Sequence, residues 1–140
     1  MAYMCMGCGE IYDYNMEMCP KAGCEGDVVE IDELMLPIIR TLRHKGYFTS
    51  YCCSGHIYED IAQAYVCLAD FVSEVLETNE LDQIRDSLPK MWTMEVDDLN
   101  RICFRHINVH AYTDFEKYED IINANLELMR FVQQLPELEY

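Results

Sequence analysis

Four cysteines close to the N-terminus constrain this chain more than any other feature of its sequence. Cys5 and Cys8 are separated by two residues, and Cys19 and Cys24 are separated by four residues. Short spacings of this kind bring two thiolates to one ion, and two such pairs complete the tetrahedral coordination that zinc prefers. The sequence therefore predicts a four-cysteine zinc ribbon, with Cys5, Cys8, Cys19 and Cys24 as ligands and zinc (Zn) as a structural cofactor.

The ribbon is predicted to span residues 1–30, followed by a second domain over residues 31–140. A unit of this size cannot bury a core of its own, so metal-binding energy would take the place of hydrophobic burial. The alternative for these thiols is that they are free or disulfide-bonded. The N-terminus carries neither the basic nor the apolar segment of a secretory signal. We therefore expect a cytoplasmic protein without membrane contact, in which thiols bind metal or stay reduced.

The second domain alternates between helical and strand patterns. Helices are predicted over 32–45, over 73–88 with a break near Asn79, and from Thr113 to Pro136. The first of them starts nearer Leu36 unless Pro37 falls within its first turn. Strands are predicted over 47–53, 64–71, 91–96 and 101–108, the last two joined by a polar turn at 97–100. This order predicts an α+β fold in which the zinc ribbon precedes a mostly antiparallel sheet with helices packed on one face.

The last helix has the clearest pattern. Thr113 and Glu116 have the spacing of a capping box, in which each side chain binds a free backbone N–H at the start of the helix. An apolar stripe of Tyr118, Ile121, Asn125, Leu128, Val132 and Leu135 follows. Such a stripe most simply covers a sheet. A homodimer through this helix is the alternative, which the polar Asn125 favours.

The chain is strongly acidic, with 26 acids against 10 bases and a formal net charge of -16. This balance disfavours binding to a nucleic-acid backbone or to an anionic membrane. It is compatible with simple solubility, and also with docking on a protein partner that has a basic, nucleic-acid-binding surface. The charge alone does not separate these two interpretations.

The charge is unevenly distributed. Two windows, 34–58 and 99–113, contain no acid and hold five of the ten bases and all four histidines. If the windows meet in space, they form a basic island on an acidic protein, and direct nucleic-acid binding is expected only there. The island candidates for a ligand or anion are Arg40, Arg43, Cys53, Ser54, Gly55, His56, Arg101, Arg105 and His106.

The segment "CCSGH", residues 52–56, is the centre of that island. A Ser-Gly turn at the end of a strand can present backbone N–H groups to an anion. Three alternatives remain open for the same residues. They are a second metal site that pairs a cysteine with His56, a nucleophilic Cys53 thiolate, and a buried turn without a ligand, as cysteine is among the most buried residue types.

Two resemblances bear on this segment. The run from "PIIRTLRHK" and "GYFTSYCCSGH" through "AYVCLADF" to "RICFRHI" is similar to small uncharacterised proteins of Firmicutes and their phages, over most of residues 31–135. The phrase "TSYCCSGH" resembles the Thr-Ser-Ser-Cys-Ser-Gly-Arg signature of the tRNA wybutosine-synthesis methyltransferase family. In that match Cys53, Ser54 and Gly55 align and His56 replaces the arginine. The second resemblance implies an RNA-modifying enzyme, although the chain has no glycine-rich loop for S-adenosylmethionine.

We expect a non-enzymatic, zinc-binding regulator or inhibitor, encoded by a phage or mobile element, that binds a protein partner. A nucleic-acid-handling host protein would suit the acidic surface, by analogy with some anti-CRISPR proteins. The alternative is a methyltransferase-like RNA-modifying enzyme, or a nucleotide- or anion-binding domain, that uses the CCSGH loop. No catalytic residue is assigned.

Overall fold

A computed structural model describes residues 2–55, 63–106 and 113–140, and within these residues the fold is α+β with antiparallel sheets. The first sheet has the order β2-β1-β3 and is built from β1 (Ala2–Cys5), β2 (Ile11–Tyr12) and β3 (Val28–Ile31). We call residues 2–31, which contain this sheet and the four cysteines, the cysteine ribbon. The predicted fold class is confirmed.

The second sheet has four strands in the order β4-β5-β7-β6. Its strands are β4 (Thr49–Cys53), β5 (Tyr65–Leu68), β6 (Trp92–Val96) and β7 (Ile102–His106). The helices are α1 (Leu36–His44), α2 (Asp70–Val75), α3 (Thr78–Ser87) and α4 (Asp114–Gln134). β6 and β7 pair as the predicted hairpin, with Trp92 opposite His106. Among the described helices, none combines the length and the apolar character needed to cross a bilayer.

Three boundaries can be compared with the sequence prediction. α1 begins at Leu36, the later of the two predicted starts, so that Pro37 lies within its first turn, where a missing backbone N–H costs nothing. The helix predicted over 73–88 is broken as predicted, into α2 and α3, but the break falls at Leu76 and Glu77, whose backbones are extended, just before Asn79. The strand predicted over 64–71 ends at Leu68, because α2 already begins at Asp70.

One half of the predicted capping box of α4 is confirmed, since the Thr113 hydroxyl accepts a hydrogen bond from the Glu116 N–H at 3.2 Å. The Glu116 carboxylate accepts from the Thr113 hydroxyl, and not from the Thr113 backbone N–H as predicted. Its buried face differs in part from the predicted stripe. Tyr118 is exposed, and Asn125 is buried, with its side-chain amide donating to the carbonyls of Ser54 and Ile121. The Asn125 side chain therefore makes its hydrogen bonds within one chain, and it does not support a homodimer through this helix.

One continuous core joins the ribbon to the rest of the chain. Met4 of β1 and Ile31 of β3 belong to the same buried cluster as Leu42 of α1 and Leu128 of α4. The ring of Phe104 on β7 lies 5.7 Å from the ring of Phe131 on α4, which places the helices against this face of the sheet. The opposite face carries the side chains described below as the arginine–tyrosine row.

Candidate metal centre

The four predicted ligands converge on one point. The Sγ atoms of Cys5, Cys8, Cys19 and Cys24 all lie within 4.8 Å of one another. Cys5 Sγ is 3.6 Å from Cys24 Sγ, and Cys8 Sγ is 3.8 Å from Cys19 Sγ. Zinc–sulfur bonds of about 2.3 Å at tetrahedral angles place two sulfurs about 3.8 Å apart. The cluster therefore has the dimensions of a tetrahedral metal site.

A tight backbone turn places the first two thiols. The backbone N–H groups of Gly7 and Cys8 point at Cys5 Sγ, at 3.3 and 3.4 Å. Gly9 closes the turn with a φ of 81°, which a residue with a side chain rarely adopts. A Cβ at Gly26 would stand 2.6 Å from Cys5 Sγ, so the facing loop can approach the metal site only with glycine at this position.

The hydrogen bonds and the burial of Cys5 and Cys24 shift the pKa values of their thiols. Burial raises the pKa of Cys5, but the N–H groups of Cys8 and Gly7 outweigh it and bring the pKa to about 6. The Gly26 N–H lowers the pKa of Cys24, whereas its hydrogen bond with Cys5 and its burial raise the pKa to about 11. Without a cation, the cluster thus favours one thiolate over its neighbours, because adjacent negative charges repel each other. A divalent ion stabilises all four thiolates together.

The centre is enclosed by protein on most sides. Cys5 and Cys19 are buried, Cys24 is half-buried and Cys8 is exposed. The Tyr12 hydroxyl lies 3.0 Å from Cys19 Sγ, and this hydrogen bond raises the pKa of the tyrosine. Four sulfurs fill a tetrahedral coordination shell and leave no position for a substrate, which is the arrangement of a structural metal site.

Arg43 of α1 connects the four-cysteine site to the part of the chain that follows the ribbon. Its guanidinium donates to the Met6 carbonyl at 2.9 Å and also to the Gly7 carbonyl, and it lies 5.0 Å from the centroid of the Phe48 ring. A cavity of about 380 Å³ beside it is lined by Met4, Cys8, Gly9, Arg40, Arg43, His44 and Phe48. Arg43, a predicted anion ligand, thus holds the turn that carries Cys5 and Cys8.

The Ser-Gly turn of the CCSGH segment is held from inside the protein. The backbone N–H and the hydroxyl of Ser54 both donate to Asp32 Oδ2, at 3.0 and 2.8 Å. Asn125 donates to the Ser54 carbonyl at 3.1 Å, and Gly55 has a φ of 92°. The Ser54 donors that an anion would need are therefore engaged by the carboxylate of Asp32, and the Gly55 N–H is engaged by Cys53 Sγ. His56 lies outside the described residues.

The remaining cysteines differ in environment. Burial raises the pKa of Cys52 to about 12, which keeps this thiol protonated and a poor nucleophile. Cys53 is half-buried and accepts a hydrogen bond from the Gly55 N–H. Cys67 and Cys103 are buried, face each other on β5 and β7, and are joined as a disulfide. This differs from the expectation that the thiols of this chain bind metal or stay reduced.

The two acid-free windows meet on the face of the second sheet that is opposite α4. Arg101 lies 4.9 Å from the Tyr51 ring centroid, the Tyr51 and Tyr65 rings are 5.8 Å apart, and Arg105 lies 5.3 Å from the Tyr65 ring. We call these four residues the arginine–tyrosine row. Arg101 also pairs with Asp97 at 2.8 Å, so its charge is partly balanced.

The structure distributes the predicted anion ligands among separate places. Arg105 and Cys53 are on strands that carry the row and Arg101 directly precedes β7, whereas Arg40 and Arg43 line the cavity beside the ribbon. His106 is on the opposite face, buried, with its ring 5.3 Å from the Trp92 ring, and its burial lowers its pKa. Sequence reasoning missed Asp32, Tyr51 and Tyr65. Alternation along β4 and β5 could have found the tyrosines, but no local pattern marks Asp32.

Family models, curated proteins and solved structures give no match to this chain.

Proposed function

We propose that the protein is a zinc-binding, non-enzymatic regulator or inhibitor that acts by binding a protein partner. The proposal of metal binding rests on the distances between the four sulfurs, which match those of a tetrahedral site. Four thiolates in this geometry suit zinc or iron. Zinc is the ion proposed, because the ribbon needs a structural cross-link and zinc provides one without redox chemistry.

The surface charge supports a basic partner. None of the acids among the described residues is buried, and apart from acids held by other groups, such as Asp32 and Asp97, their charge is open to solvent or to another protein. The ribbon contributes six acids against a single base, Lys21, which lies 3.8 Å from Glu10. A surface of one sign attracts an oppositely charged partner and speeds their encounter. A nucleic-acid-handling host protein has such a basic surface, which suits a phage-encoded, anti-CRISPR-like inhibitor.

Affinity capture from a bacterial lysate, with mass spectrometry of what is retained, tests this proposal. The wild-type chain should retain a basic, nucleic-acid-binding protein in stoichiometric amount. A variant with Glu25→Lys and Asp27→Lys, both on the exposed ribbon surface, should retain less of it. Retention that is equal for the two proteins would contradict docking through the acidic ribbon.

A second candidate function rests on the arginine–tyrosine row. Two guanidinium groups and two tyrosine rings on the sheet face opposite α4 could hold a planar anion such as a nucleotide, by stacking and charge. Titration with ATP, followed by amide chemical shifts, tests this alternative. Shifts confined to Tyr51, Tyr65 and Arg105, and lost in Arg105→Gln, would favour it.

Retained S-adenosylmethionine, or methyl transfer to tRNA that is lost in Cys53→Ala, would instead favour the methyltransferase-like enzyme.

A further inference from the structure

Helix α4 carries a second apolar stripe that the sheet does not cover. Phe115, Tyr118 and Leu126 are exposed to 69%, 54% and 50%, and Ile122 and Met129 beside them are half-buried. Spacings of three and four residues place these five side chains on one side of the helix. We call them the outer stripe. Large apolar side chains that are exposed in one continuous row mark an interaction surface.

The outer stripe is long enough to bind another helix. α4 has 21 residues, so its axis is about 31 Å long at 1.5 Å per residue. The stripe runs from the first turn of α4 almost to its last turn, next to the buried stripe that contacts the sheet. An extended helical partner, rather than a small molecule, fits a surface of this shape.

We propose that the outer stripe binds the outer stripe of a second copy of this chain, with the two α4 helices antiparallel about a two-fold axis near residue 124. In this register Ile122 faces Leu126 of the second copy, and Tyr118 faces Met129 of the second copy. Each of these four side chains therefore meets another apolar side chain, whereas Phe115 lies at the end of the contact, opposite Gln133 of the second copy. A two-fold interface requires this kind of self-complementary surface.

The charges beside the stripe fit the same register. Glu119, Asn123 and Arg130 lie on the same side of the outer stripe. In a pair of antiparallel helices related by a two-fold axis, this side of one helix lies next to the same side of the other. Glu119 then faces Arg130 of the second copy, and symmetry repeats the pair. This side of the stripe is thus balanced, although the whole chain has a net charge of -16. The repulsion between two acidic chains should make the dimer stronger as salt rises, because screening weakens long-range charge.

Sedimentation equilibrium of the full, zinc-loaded chain tests the proposal. Between about 5 and about 500 µM the wild type should change from monomer to dimer, since one helix pair makes a small, weak interface. Leu126→Glu should remain monomeric over this range. Leu99→Glu, at a residue that is 66% exposed on the β6–β7 turn, is the matched control and should dimerise like the wild type.

A charge swap tests the register without changing the apolar stripe. Glu119→Arg should weaken dimerisation at least tenfold, and adding Arg130→Glu should restore it. Circular dichroism of each variant establishes that it is folded. A wild type that is monomeric at the highest concentration, an equal effect of Leu99→Glu and Leu126→Glu, or a double variant no better than Glu119→Arg would each overturn the proposal.

Discussion

Asp32 accepts two hydrogen bonds from Ser54, one from the backbone N–H at 3.0 Å and one from the hydroxyl at 2.8 Å. This contact joins the segment before α1 to the end of β4, and Asn125 of α4 binds the carbonyl of the same serine. Three separate parts of the chain therefore meet at one turn. The acidic group bound by the CCSGH segment is thus the carboxylate of Asp32 and not an external ligand. The turn has a structural function.

Replacing Asp32 by alanine should destabilise the protein by about 2–3 kcal/mol, because two donors on a mostly buried serine lose a charged acceptor. Urea unfolding of the zinc-loaded protein measures this loss. Asp98→Ala, at an exposed acid in the β6–β7 turn, is the control and should change stability by less than about 0.5 kcal/mol. Equal effects of the two substitutions would mean that net charge, and not the contact with Ser54, determines the result.

The metal ligands and most elements could be predicted because they depend on local patterns. Two short cysteine spacings imply one ion whatever the rest of the fold, and the N-cap bond of α4, from the Glu116 N–H to Thr113, lies within four residues. The contacts of Asp32 and Asn125 are different, because Ser54 is 22 and 71 residues away. Nothing near either residue shows which distant donor or acceptor it will meet.

The exposed position of Tyr118 has a related cause. α4 has apolar side chains over more of its circumference than the sheet can cover, and periodicity alone does not show which part faces the sheet. The sequence also did not predict the arginine–tyrosine row. Its members lie on or beside three strands, and only the topology shows that these strands are neighbours in the sheet. The two acid-free windows indicated that these regions belong together, but not which side chains would be in contact.

Replacing Cys19 by serine should abolish stoichiometric metal binding. Elemental analysis of the wild type should give one zinc ion per chain, because the described residues contain one cluster of ligands with these distances. The variant should also be less stable by several kcal/mol, since Met4 and Ile31 of the ribbon are part of the shared core. Cys53→Ser should keep its zinc. Two tightly bound ions in the wild type would contradict a single site.

Gly26→Ala tests the close approach of the two ribbon loops. The added Cβ would stand 2.6 Å from Cys5 Sγ and 2.8 Å from the Gly7 nitrogen, so either the loop or the ligand must move. We expect zinc affinity to fall at least about tenfold, the usual cost of disturbing groups around a metal ligand. Competition with a chromogenic chelator measures the affinity.

Gly23→Ala is the matched control for this substitution. Gly23 has a positive φ of 80°, which Gly26 does not have, and a Cβ at Gly23 meets no atom within 4 Å. Gly23→Ala therefore adds backbone strain to the same loop without a clash, whereas Gly26→Ala adds the clash at the ligands. If both variants lost zinc equally, a general disturbance of the loop and not contact with Cys5 would explain the effect.

His106 should make the protein less stable as the pH falls below about 6.5. Burial lowers the pKa of this histidine from its ordinary value of 6.5, and the charges of Glu127 and Asp120 oppose the shift only in part. The unfolded chain therefore binds a proton at a higher pH than the folded chain does. Between the two pKa values protonation favours unfolding, so this contribution to stability is complete above pH 6.5 and declines as the pH falls.

Urea unfolding at several pH values between about 8 and about 5.5 measures the effect, which should be a progressive fall in the free energy of unfolding toward the acid end of this range. His106→Phe keeps an aromatic ring against Trp92 and should lose less stability than the wild type as the pH falls. His44→Gln removes an exposed imidazole and should follow the wild type. Parallel curves for the wild type and His106→Phe would contradict a buried, neutral histidine at this position.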